Sequence, residues 1–508
     1  MQRQSHAVVS SSLERTRRLN ILLVYPRSPD TFWSFRHVLR LISKKAAFPP
    51  LGLLTVAAML PRSWSLRLAD LNVVPLSDAA LGWADYVFVS GMIVHKDSAH
   101  EIAARCAALG KPVLAGGPLF TTGHLDFPEI PHFVLGEAEE LIDEVVRGME
   151  RGSLRPTYRS TDWPDIRRAP VPRWDLIDLR DYVTMPVQFS RGCPFNCEFC
   201  DIVVMNGRVP RTKEPAQVVR ELDALRLAGW KDMVFIVDDN FIGNRRRTRE
   251  LLRVLIAWRE RMKPKMGFLT EASVNLADET ELCELMVKAG FKKVFLGIET
   301  PSAEGLEECG KQQNRKRDLG DSVRLLQRAG LEVMGGFIVG FDSDPQDIFK
   351  RQFEFIQQSG VVTAMVGLLT ALPQTELYRR LAGEGRILAE TCGNNTDAAI
   401  NFVTRLDRDF LISGYGELMR RLYEPKHYYR RIRAFLRTYQ PRGPSVRLSG
   451  SEVKAFLKSL WVLGVWNRGR FGYWRLFWST LLGRPRKFHT AMELSILGYH
   501  FRRIASRL

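Results

Sequence analysis

Short apolar runs alternate with helical patterns along most of this 508-residue chain, and this alternation constrains the fold more than any other feature. A first series of five runs occupies residues 19–26, 65–70, 85–90, 112–117 and 132–137. A second series of six lies at about 185–190, 233–239, 267–273, 293–299, 332–340 and 362–370. Because strands separated by helices pair in parallel, we predict an α/β protein with two parallel sheets.

The first series predicts a doubly wound, Rossmann-like sheet over residues 19–150. Such a sheet binds ligands in a crevice at the carboxyl ends of its strands. Glycine directly after a strand lets a ligand approach the backbone closely, although a plain turn has the same signature. The residues that we expect to line the crevice are Ser90, Gly91, Gly116, Gly117, Gly136 and Glu137.

The other domain boundaries follow from changes in composition. Residues 1–18 are predicted to be a flexible tail, and the proline-bearing stretch 151–184 is predicted to be a linker. The six strand–helix units of 185–390 predict an incomplete (β/α)6 barrel with active-site groups at the strand ends. From residue 391 the alternation stops, so 391–508 are predicted to form a helical, basic domain.

Cys193, Cys197 and Cys200 have the spacing C-x3-C-x2-C in the loop after the first strand of the second series. Three thiolates can hold a four-iron cluster and leave one iron open. The amine and carboxylate of S-adenosylmethionine (SAM) can chelate such an iron. A zinc knuckle or three unrelated core thiols are the alternatives, but zinc sites generally use four ligands.

With this motif, SRGCPFNCEFCDI, the chain resembles the radical SAM superfamily. A Rossmann-like unit directly before the barrel resembles the cobalamin-binding class of that superfamily, although the D-x-H-x-x-G signature is absent. The stretches VDDNFIGN, GGFIVGFD, GLLTALPQTELYRRL and GNNTD make it most similar to members with a DUF4070-type C-terminal domain, and among these to the hopanoid C2-methyltransferases. The resemblance implies a [4Fe-4S] cluster, SAM and cobalamin as cofactors.

The resemblance also assigns roles to residues at the strand ends. Phe199 would cover the adenine and the cluster, and Asp238 with Asp239 would accept hydrogen bonds from the methionine ammonium group. The ribose and sulfonium end of SAM would be reached by the remaining candidates, Glu271, Ser273 and Glu299. A packed core phenylalanine, a solvated turn or a helix cap are the alternative interpretations.

The implied reaction is methylation of an unactivated carbon. A deoxyadenosyl radical would remove hydrogen from that carbon, and methylcobalamin would supply the methyl group. The substrate implied by the resemblance is a lipid, with C2 of a hopanoid as the carbon that is modified. A radical SAM enzyme that modifies a soluble natural product, with or without cobalamin, is the alternative, and a non-enzymatic cluster protein is another. The reaction needs an external electron donor.

The positive charge is concentrated at the C-terminus. The formal net charge is +18, and residues 426–508 contain eighteen Lys or Arg but two Glu. Four tryptophans of this stretch, Trp461, Trp466, Trp474 and Trp478, lie among arginines. That composition is typical of helices in a membrane interface, although packing helices or nucleic-acid binding would also explain it. We expect peripheral membrane contact and no nucleic-acid partner.

Targeting features point to the cytoplasm. The N-terminus lacks the apolar core of a signal peptide, and no segment has the apolar length needed to span a bilayer. The remaining cysteines are far apart, which argues against a disulfide framework and fits a reducing compartment; they are Cys106, Cys283, Cys309 and Cys392. We therefore expect a cytoplasmic protein, peripheral on the inner face of the membrane.

Overall fold

The computed structural model describes residues 18–160, 162–391, 393–394, 396, 399–442 and 450–508. Of the predicted tail, residues 1–18, only residue 18 is described. Cys392 also lies outside the described residues.

The first sheet has six parallel strands: β1 Asn20–Tyr25, β2 Ser65–Asp70, β3 Tyr86–Ser90, β4 Val113–Gly116, β5 His132–Leu135 and β6 Thr157–Arg159. Their order is β2-β1-β3-β4-β5-β6, which confirms the five predicted strands and the doubly wound topology. Successive residues of β1 enter opposite cores, Leu22 and Val24 on one face and Ile21 and Leu23 on the other. Both faces are therefore covered by helices, as a parallel sheet requires.

Strand β6 lies within the stretch predicted to be a linker. It has only three residues, and Tyr158 is its one buried side chain. A strand this short has no alternation to detect, so it is recognised only by its pairing with β5. Three single turns of 3₁₀ helix follow it, at Ile166–Arg168, Trp174–Leu176 and Leu179–Asp181. The helices of this first unit are α1 Arg36–Ile42, α2 Leu51–Met59, α3 Asp78–Trp83, α4 Lys96–Ala108, α5 Pro118–Gly123 and α6 Ile142–Arg151.

The second sheet also has six parallel strands, and they match the second predicted series: β7 Met185–Val187, β10 Val234–Ile236, β11 Phe268–Ala272, β12 Phe291–Glu299, β13 Glu332–Val339 and β14 Ala364–Leu368. Strand order follows chain order without closure between the first and the last strand, which gives the predicted partial barrel. A two-residue hairpin, β8 Ser190–Arg191 with β9 Arg211–Thr212, frames the cysteine loop. The helices of this unit are α7 Ile202–Asn206, α8 Pro215–Leu227, α9 Arg245–Met262, α10 Thr280–Ala289, α11 Ala303–Glu308, α12 Leu319–Ala329, α13 Ile348–Ser359 and α14 Glu376–Gly383.

The C-terminal region is helical, as predicted, and it shares one hydrophobic core with the barrel. Its helices are α15 Arg408–Tyr423, α16 Pro425–Thr438, α17 Gly450–Trp461, α18 Arg470–Gly483 and α19 Phe488–Ala505. The hydroxyls of Tyr415 and Tyr423 donate to carbonyls of β14, and the buried Arg431 donates to two further carbonyls. Part of the C-terminal positive charge is therefore structural. Among the residues described, no helix is long and apolar enough to cross a bilayer.

Candidate active site

The three motif cysteines lie on one loop at the carboxyl end of β7 and are partly exposed. Amide groups from other loops donate to two of the sulfurs: Asn240 Nδ2 lies 3.9 Å from Cys193 Sγ, and Gln313 Nε2 lies 3.7 Å from Cys197 Sγ. N–H donors stabilise the negative charge of sulfur in iron–sulfur sites. The donor set therefore fits a cluster held by Cys193, Cys197 and Cys200.

The arrangement of the three motif cysteines also differs from that of a site for a single metal ion. Across the described ranges, no three His, Cys, Asp or Glu side chains form a group that could hold one metal ion. A cluster does not need such close grouping, because each thiolate binds its own iron. Burial raises the pKa of the Cys193 and Cys200 thiols, so iron must displace their protons when it binds.

Two aspartates from the end of β10 hold the start of the cysteine loop. The Asp238 carboxylate accepts hydrogen bonds of 2.7 Å from the Phe189 N–H and the Ser190 hydroxyl. Asp239 accepts from the Gly192 N–H at 2.7 Å and from an amide of α7 at 2.9 Å. Gly192 has φ +97°, and a Cβ there would meet three carbonyl oxygens at 2.9–3.0 Å, so only glycine fits this turn.

These contacts bear on the predicted binding of the methionine ammonium group. Each oxygen of Asp238 already accepts one hydrogen bond from the cysteine loop, so the geometry shows that Asp238 anchors this loop. Its binding of the ammonium group stays a prediction. Glu271 lies at the end of the neighbouring strand β11, and no hydrogen bond to its carboxylate occurs within the described residues. Burial, together with the charges of Asp239 and Asp238, raises the pKa of Glu271 to about 7.

Glu299 ends β12 with φ +65° and forms a buried ion pair with Lys311, 2.5 Å from Oε1 to Nζ. Lys311 Nζ also lies 6.0 Å from the centre of the Phe199 ring. Burial alone would lower the pKa of Lys311, but Glu299 and the nearby Cys197 raise it, so Lys311 stays protonated. The sequence reasoning missed this lysine, since an isolated Lys between two helices carries no pattern.

Ser273 belongs to a small polar network beside Cys193. Its hydroxyl contacts Asn240 Nδ2 at 3.2 Å and donates to Asn275 Oδ1 at 2.5 Å. Its N–H donates to Asn240 Oδ1 at 3.2 Å. Ser273 thereby orients the amide that donates to the cluster ligand. Its predicted contact with SAM stays a prediction.

The residues predicted to line a ligand crevice lie in the loops after β3, β4 and β5 of the first sheet. Gly117 has φ +89°, and a Cβ there would lie 2.5 Å from Ser90 Oγ and within 4 Å of Gly91. The Thr121 hydroxyl links two of these loops, since it donates to the Gly117 carbonyl and accepts from the Gly136 N–H. A Cβ on Gly136 would meet no atom within 4 Å, so this side of the crevice is open.

A histidine that sequence reasoning overlooked lies beside the crevice. His95 is fully buried; its Nδ1 accepts from the Met92 N–H, and its Nε2 lies 2.9 Å from Ser28 Oγ. Burial lowers the pKa of His95 to about 4, so the ring is neutral at pH 7. Both ring nitrogens are in hydrogen bonds, which makes His95 a structural residue of the loop after β3.

Glu137, predicted to line the crevice, has its carboxylate bound by two arginines of the barrel. Arg191 Nη1 and Arg211 Nη2 each lie 2.5 Å from it, and Arg191 also lies 2.7 Å from Glu139. All four side chains are largely buried. Arg191 is two residues before Cys193, so these pairs connect the loop after β5 directly to the cysteine loop.

Further contacts hold the carboxyl ends of the two sheets together. Gln374 Nε2 donates to the Thr122 carbonyl at 3.4 Å, and Lys96 Nζ lies 2.6 Å from Glu390. Thr122 and Lys96 belong to the first unit, whereas Gln374 and Glu390 follow the last barrel strand. The carboxyl ends of both sheets therefore face each other, with the crevice loops on one side and the cysteine loop on the other.

We predict that the buried pairs around Glu137 are needed for the cysteine loop to hold a cluster. Replacing Arg191 with Gln leaves a buried carboxylate short of a partner, which costs about 3–5 kcal/mol. The variant should unfold at lower temperature and take up less iron and sulfide on anaerobic reconstitution. The Arg167→Gln variant is the control, because the Arg167–Asp165 pair is exposed. Equal iron content in both variants would contradict the prediction.

We predict that Glu271→Gln stabilises the cofactor-free protein in a pH-dependent manner. The pKa of the carboxyl is about 4.3 in the unfolded chain and about 7 in the fold. Because the folded protein binds this proton more tightly, the free energy of unfolding falls as the pH rises through that range. The glutamine variant should therefore gain a few degrees in unfolding temperature at pH 8 and almost nothing near pH 4.5. The exposed Glu101→Gln variant is the control. A gain independent of pH would contradict the assignment.

Two family profiles match this chain. The Radical SAM superfamily matches residues 187–356, and a domain of unknown function, DUF4070, matches residues 375–508. The first match spans the cysteine loop and four whole barrel strands, β10 to β13, and the second spans the helical C-terminal region.

Related sequences span nearly the whole chain. An uncharacterized methyltransferase of Synechocystis sp., sll1242, is 42% identical over 489 residues, which cover 95% of this chain and 91% of that protein. The hopanoid C-2 methylase of Rhodopseudomonas palustris is 34% identical over 90% of this chain and 88% of its own length.

Solved structures share the fold at low identity. The cobalamin-dependent SAM radical enzyme OxsB, with aqua-cobalamin and SAM bound, has a TM-score of 0.63 at 14% identity and covers 97% of this chain and 80% of its own. The radical SAM methyltransferase TsrM from Kitasatospora setae, with cobalamin and a [4Fe-4S] cluster bound, has a TM-score of 0.62 at 16% identity, covering 94% and 99%. From the fold, the cysteine loop and the relatives together, the chain belongs to the radical SAM methyltransferases that carry a C-terminal DUF4070 domain.

Proposed function

We propose that this protein is a cobalamin-dependent radical SAM enzyme that methylates an unactivated carbon of a lipid, namely C2 of a hopanoid. The observation that carries the proposal is that the carboxyl ends of the two sheets face each other. A ligand bound by the loops after β3, β4 and β5 would therefore lie against the cysteine loop. The hopanoid C-2 methylase at 34% identity supports the choice of substrate. A carbon with no acidic proton and no leaving group needs hydrogen abstraction, which a radical enzyme performs.

The residues present suit all three cofactors. Cys193, Cys197 and Cys200 would hold the cluster, and the residues around Glu271 and Lys311 would hold SAM. The loops that contain Ser90, Gly91, Gly116, Gly117 and Gly136 would hold cobalamin. When bound, these groups supply the electron, the hydrogen-abstracting radical and the methyl group.

The side chains around SAM would bind and orient it. We propose that the unpartnered Glu271 carboxylate accepts hydrogen bonds from the methionine ammonium group, with Asp239 adding negative charge nearby. Lys311 lies close to Phe199, Glu299 and the cluster thiols, so its cation offsets negative charge beside the cluster. Phe199 would cover the adenine, and Ser273 would hold Asn240 against the cluster.

The barrel interior would exclude water from the reacting carbon. Strand pairing places Glu271 next to Phe295, and the Phe295 ring lies 5.3 Å from Trp33, which stacks on Phe235 at 6.2 Å. Gly336 faces the same interior, where a Cβ would come within 2.9 Å of Phe295. An apolar floor beside the acidic groups suits radical chemistry on an apolar substrate.

We further propose where the enzyme works. A hopanoid is dissolved in a membrane, so the protein would act in the cytoplasm, in peripheral contact with the inner face of the membrane. A separate electron donor would reduce the cluster. These proposals rest on the lipid substrate and on the basic C-terminal region.

The substrate is tested by expressing the protein in a host that makes hopanoids but no methylated ones, with cobalamin supplied. We expect a hopanoid heavier by one CH₂, detected by mass spectrometry. The variant with Ala at Cys193, Cys197 and Cys200 is the control and should form no product. Absence of the product while the protein still cleaves SAM would contradict the hopanoid assignment and favour a soluble substrate.

Cobalamin binding is tested by the corrinoid content of protein purified from cobalamin-fed cells. Gly117→Val should lower the content by about tenfold or more, because a side chain there would fill the space against Ser90 and Gly91. Gly110→Val is the matched control: it also has positive φ (+61°), but it precedes β4, at the opposite end of the sheet, with open space around it. No corrinoid in the wild type, or equal loss in both variants, would contradict the proposal.

A further inference from the structure

One face of the C-terminal region exposes apolar side chains in a regular pattern. On α17, Val453, Leu457 and Trp461 are exposed at intervals of four residues, which places them on one stripe of the helix. A single turn of π-helix, Val462–Trp466, follows, and in it Val465 and Trp466 are exposed, Trp466 at 75%. The Trp461 and Trp466 rings lie 6.5 Å apart, so the stripe continues past the end of α17.

Helix α18 has a second exposed stripe. Phe471, Trp478 and Leu482 are exposed at helical spacing, Phe471 and Leu482 at 78% each. The two helices pack against each other, since Phe456 stacks on Phe477 at 6.2 Å and Ser459 Oγ lies 3.1 Å from the Tyr473 hydroxyl. We call this pair of helices with its connecting turn, residues 453–483, the hairpin face.

The rings of the hairpin differ in how far they take part in its packing, and the exposed Trp478 ring also contacts Phe477 at 5.0 Å. Trp474, between the two stripes, donates its indole N–H to the Gly464 carbonyl at 2.9 Å and contacts Phe477. Trp474 is therefore a structural tryptophan, whereas Trp466 and Phe471 extend into solvent. Exposed apolar groups grouped at this density mark a surface that is covered by something else.

The charge around these stripes has one sign. Residues 453–487 contain eight Lys or Arg and no Asp or Glu. Arg468, Arg470 and Arg475 are exposed, and in the described part of the chain no carboxylate pairs with them. The surface that covers the hairpin face must therefore be apolar in its depth and anionic at its edge.

We propose that the hairpin face docks on the surface of a bilayer that contains anionic lipid. Tryptophan rings and apolar side chains would enter the headgroup region, and the arginines would contact lipid phosphates. A protein partner would have to supply matching carboxylates, and a nucleic acid offers no apolar layer for Leu457 and Leu482. A bilayer provides both kinds of contact over one continuous surface.

The position of the hairpin face deepens the proposed function, on which the lipid part of this inference rests. Helix α1 packs against α17, where Lys458 Nζ donates to the Arg40 carbonyl at 3.3 Å. Trp33, three residues before α1, contacts Phe235 and Phe295 inside the barrel. One short segment thus connects the docking face with the barrel interior, where an apolar substrate from the bilayer would have to arrive.

The test uses the full chain and vesicles of neutral phosphatidylcholine, with or without phosphatidylglycerol, in a flotation assay. The wild type should bind the anionic vesicles, and high salt should weaken but not abolish binding. A charge variant, Arg468→Gln with Arg470→Gln and Arg475→Gln, should bind about a hundredfold more weakly at low salt. An apolar variant, Trp466→Gln with Phe471→Gln and Leu482→Gln, should lose the salt-resistant part.

Two control variants remove three positive charges or three exposed apolar side chains elsewhere on the surface. Arg62→Gln with Arg151→Gln and Arg328→Gln removes three exposed charges, and Leu125→Gln with Leu227→Gln and Leu325→Gln removes three exposed apolar side chains. Both controls should bind as the wild type does. Equal binding by the hairpin variants and their controls would overturn the proposal, and so would failure of the wild type to float.

A nucleic-acid partner is a further outcome that the assay distinguishes. If the wild type binds RNA but not vesicles, and the charge variant loses RNA binding, the hairpin face is a nucleic-acid surface and the proposal is wrong. Methylation of a substrate supplied in detergent micelles separates the two proposals. Activity in micelles without vesicle binding would contradict only the docking face, whereas vesicle binding without methylation would contradict only the hopanoid assignment.

Discussion

The buried carboxylate of Glu137, shared by Arg191 and Arg211, is the interaction on which the arrangement of the site depends. A buried charge is tolerated only when it is paired and hydrogen-bonded, so the three groups must stay together. Glu137 lies two residues after β5, and Arg191 precedes Cys193 by two residues. These buried pairs therefore hold the loop after β5 against the cysteine loop, together with the Gln374–Thr122 and Lys96–Glu390 contacts.

A second constraint comes from the number of acidic groups at the barrel mouth. Asp238, Asp239 and Glu271 are close enough to influence one another, and burial raises the pKa of Asp238 and Glu271 to about 7. Donors of the cysteine loop and α7 bind both oxygens of Asp238 and Oδ2 of Asp239, whereas no donor binds the Glu271 carboxylate among the described residues. A carboxylate without a donor from the protein can accept hydrogen bonds from a cationic ligand, as we propose for Glu271 and the methionine ammonium group.

The C-terminal region shows how one composition can serve two purposes. Arg431 is fully buried and stabilises carbonyl groups at the junction with the barrel, whereas Arg468, Arg470 and Arg475 are exposed beside exposed rings. A count of positive charges treats these arginines alike. Their different roles follow from the direction in which each helix face points, which depends on how α15 to α19 pack around β14.

Local sequence patterns were sufficient to predict much of the fold of this protein. The sequence by itself determined the two parallel sheets, the partial barrel, the helical C-terminal region and the cysteine loop, because apolar periodicity and the C-x3-C-x2-C spacing are properties of neighbouring residues. Strand β6, the ion pair of Glu299 with Lys311, the burial of His95 and the attachment of Glu137 to Arg191 were decided only by the tertiary structure. Each of these features either depends on contacts between residues that are apart in sequence or, like β6, is too short to show a sequence pattern. The interactions contribute to stability only after folding has brought the partners out of water and into contact.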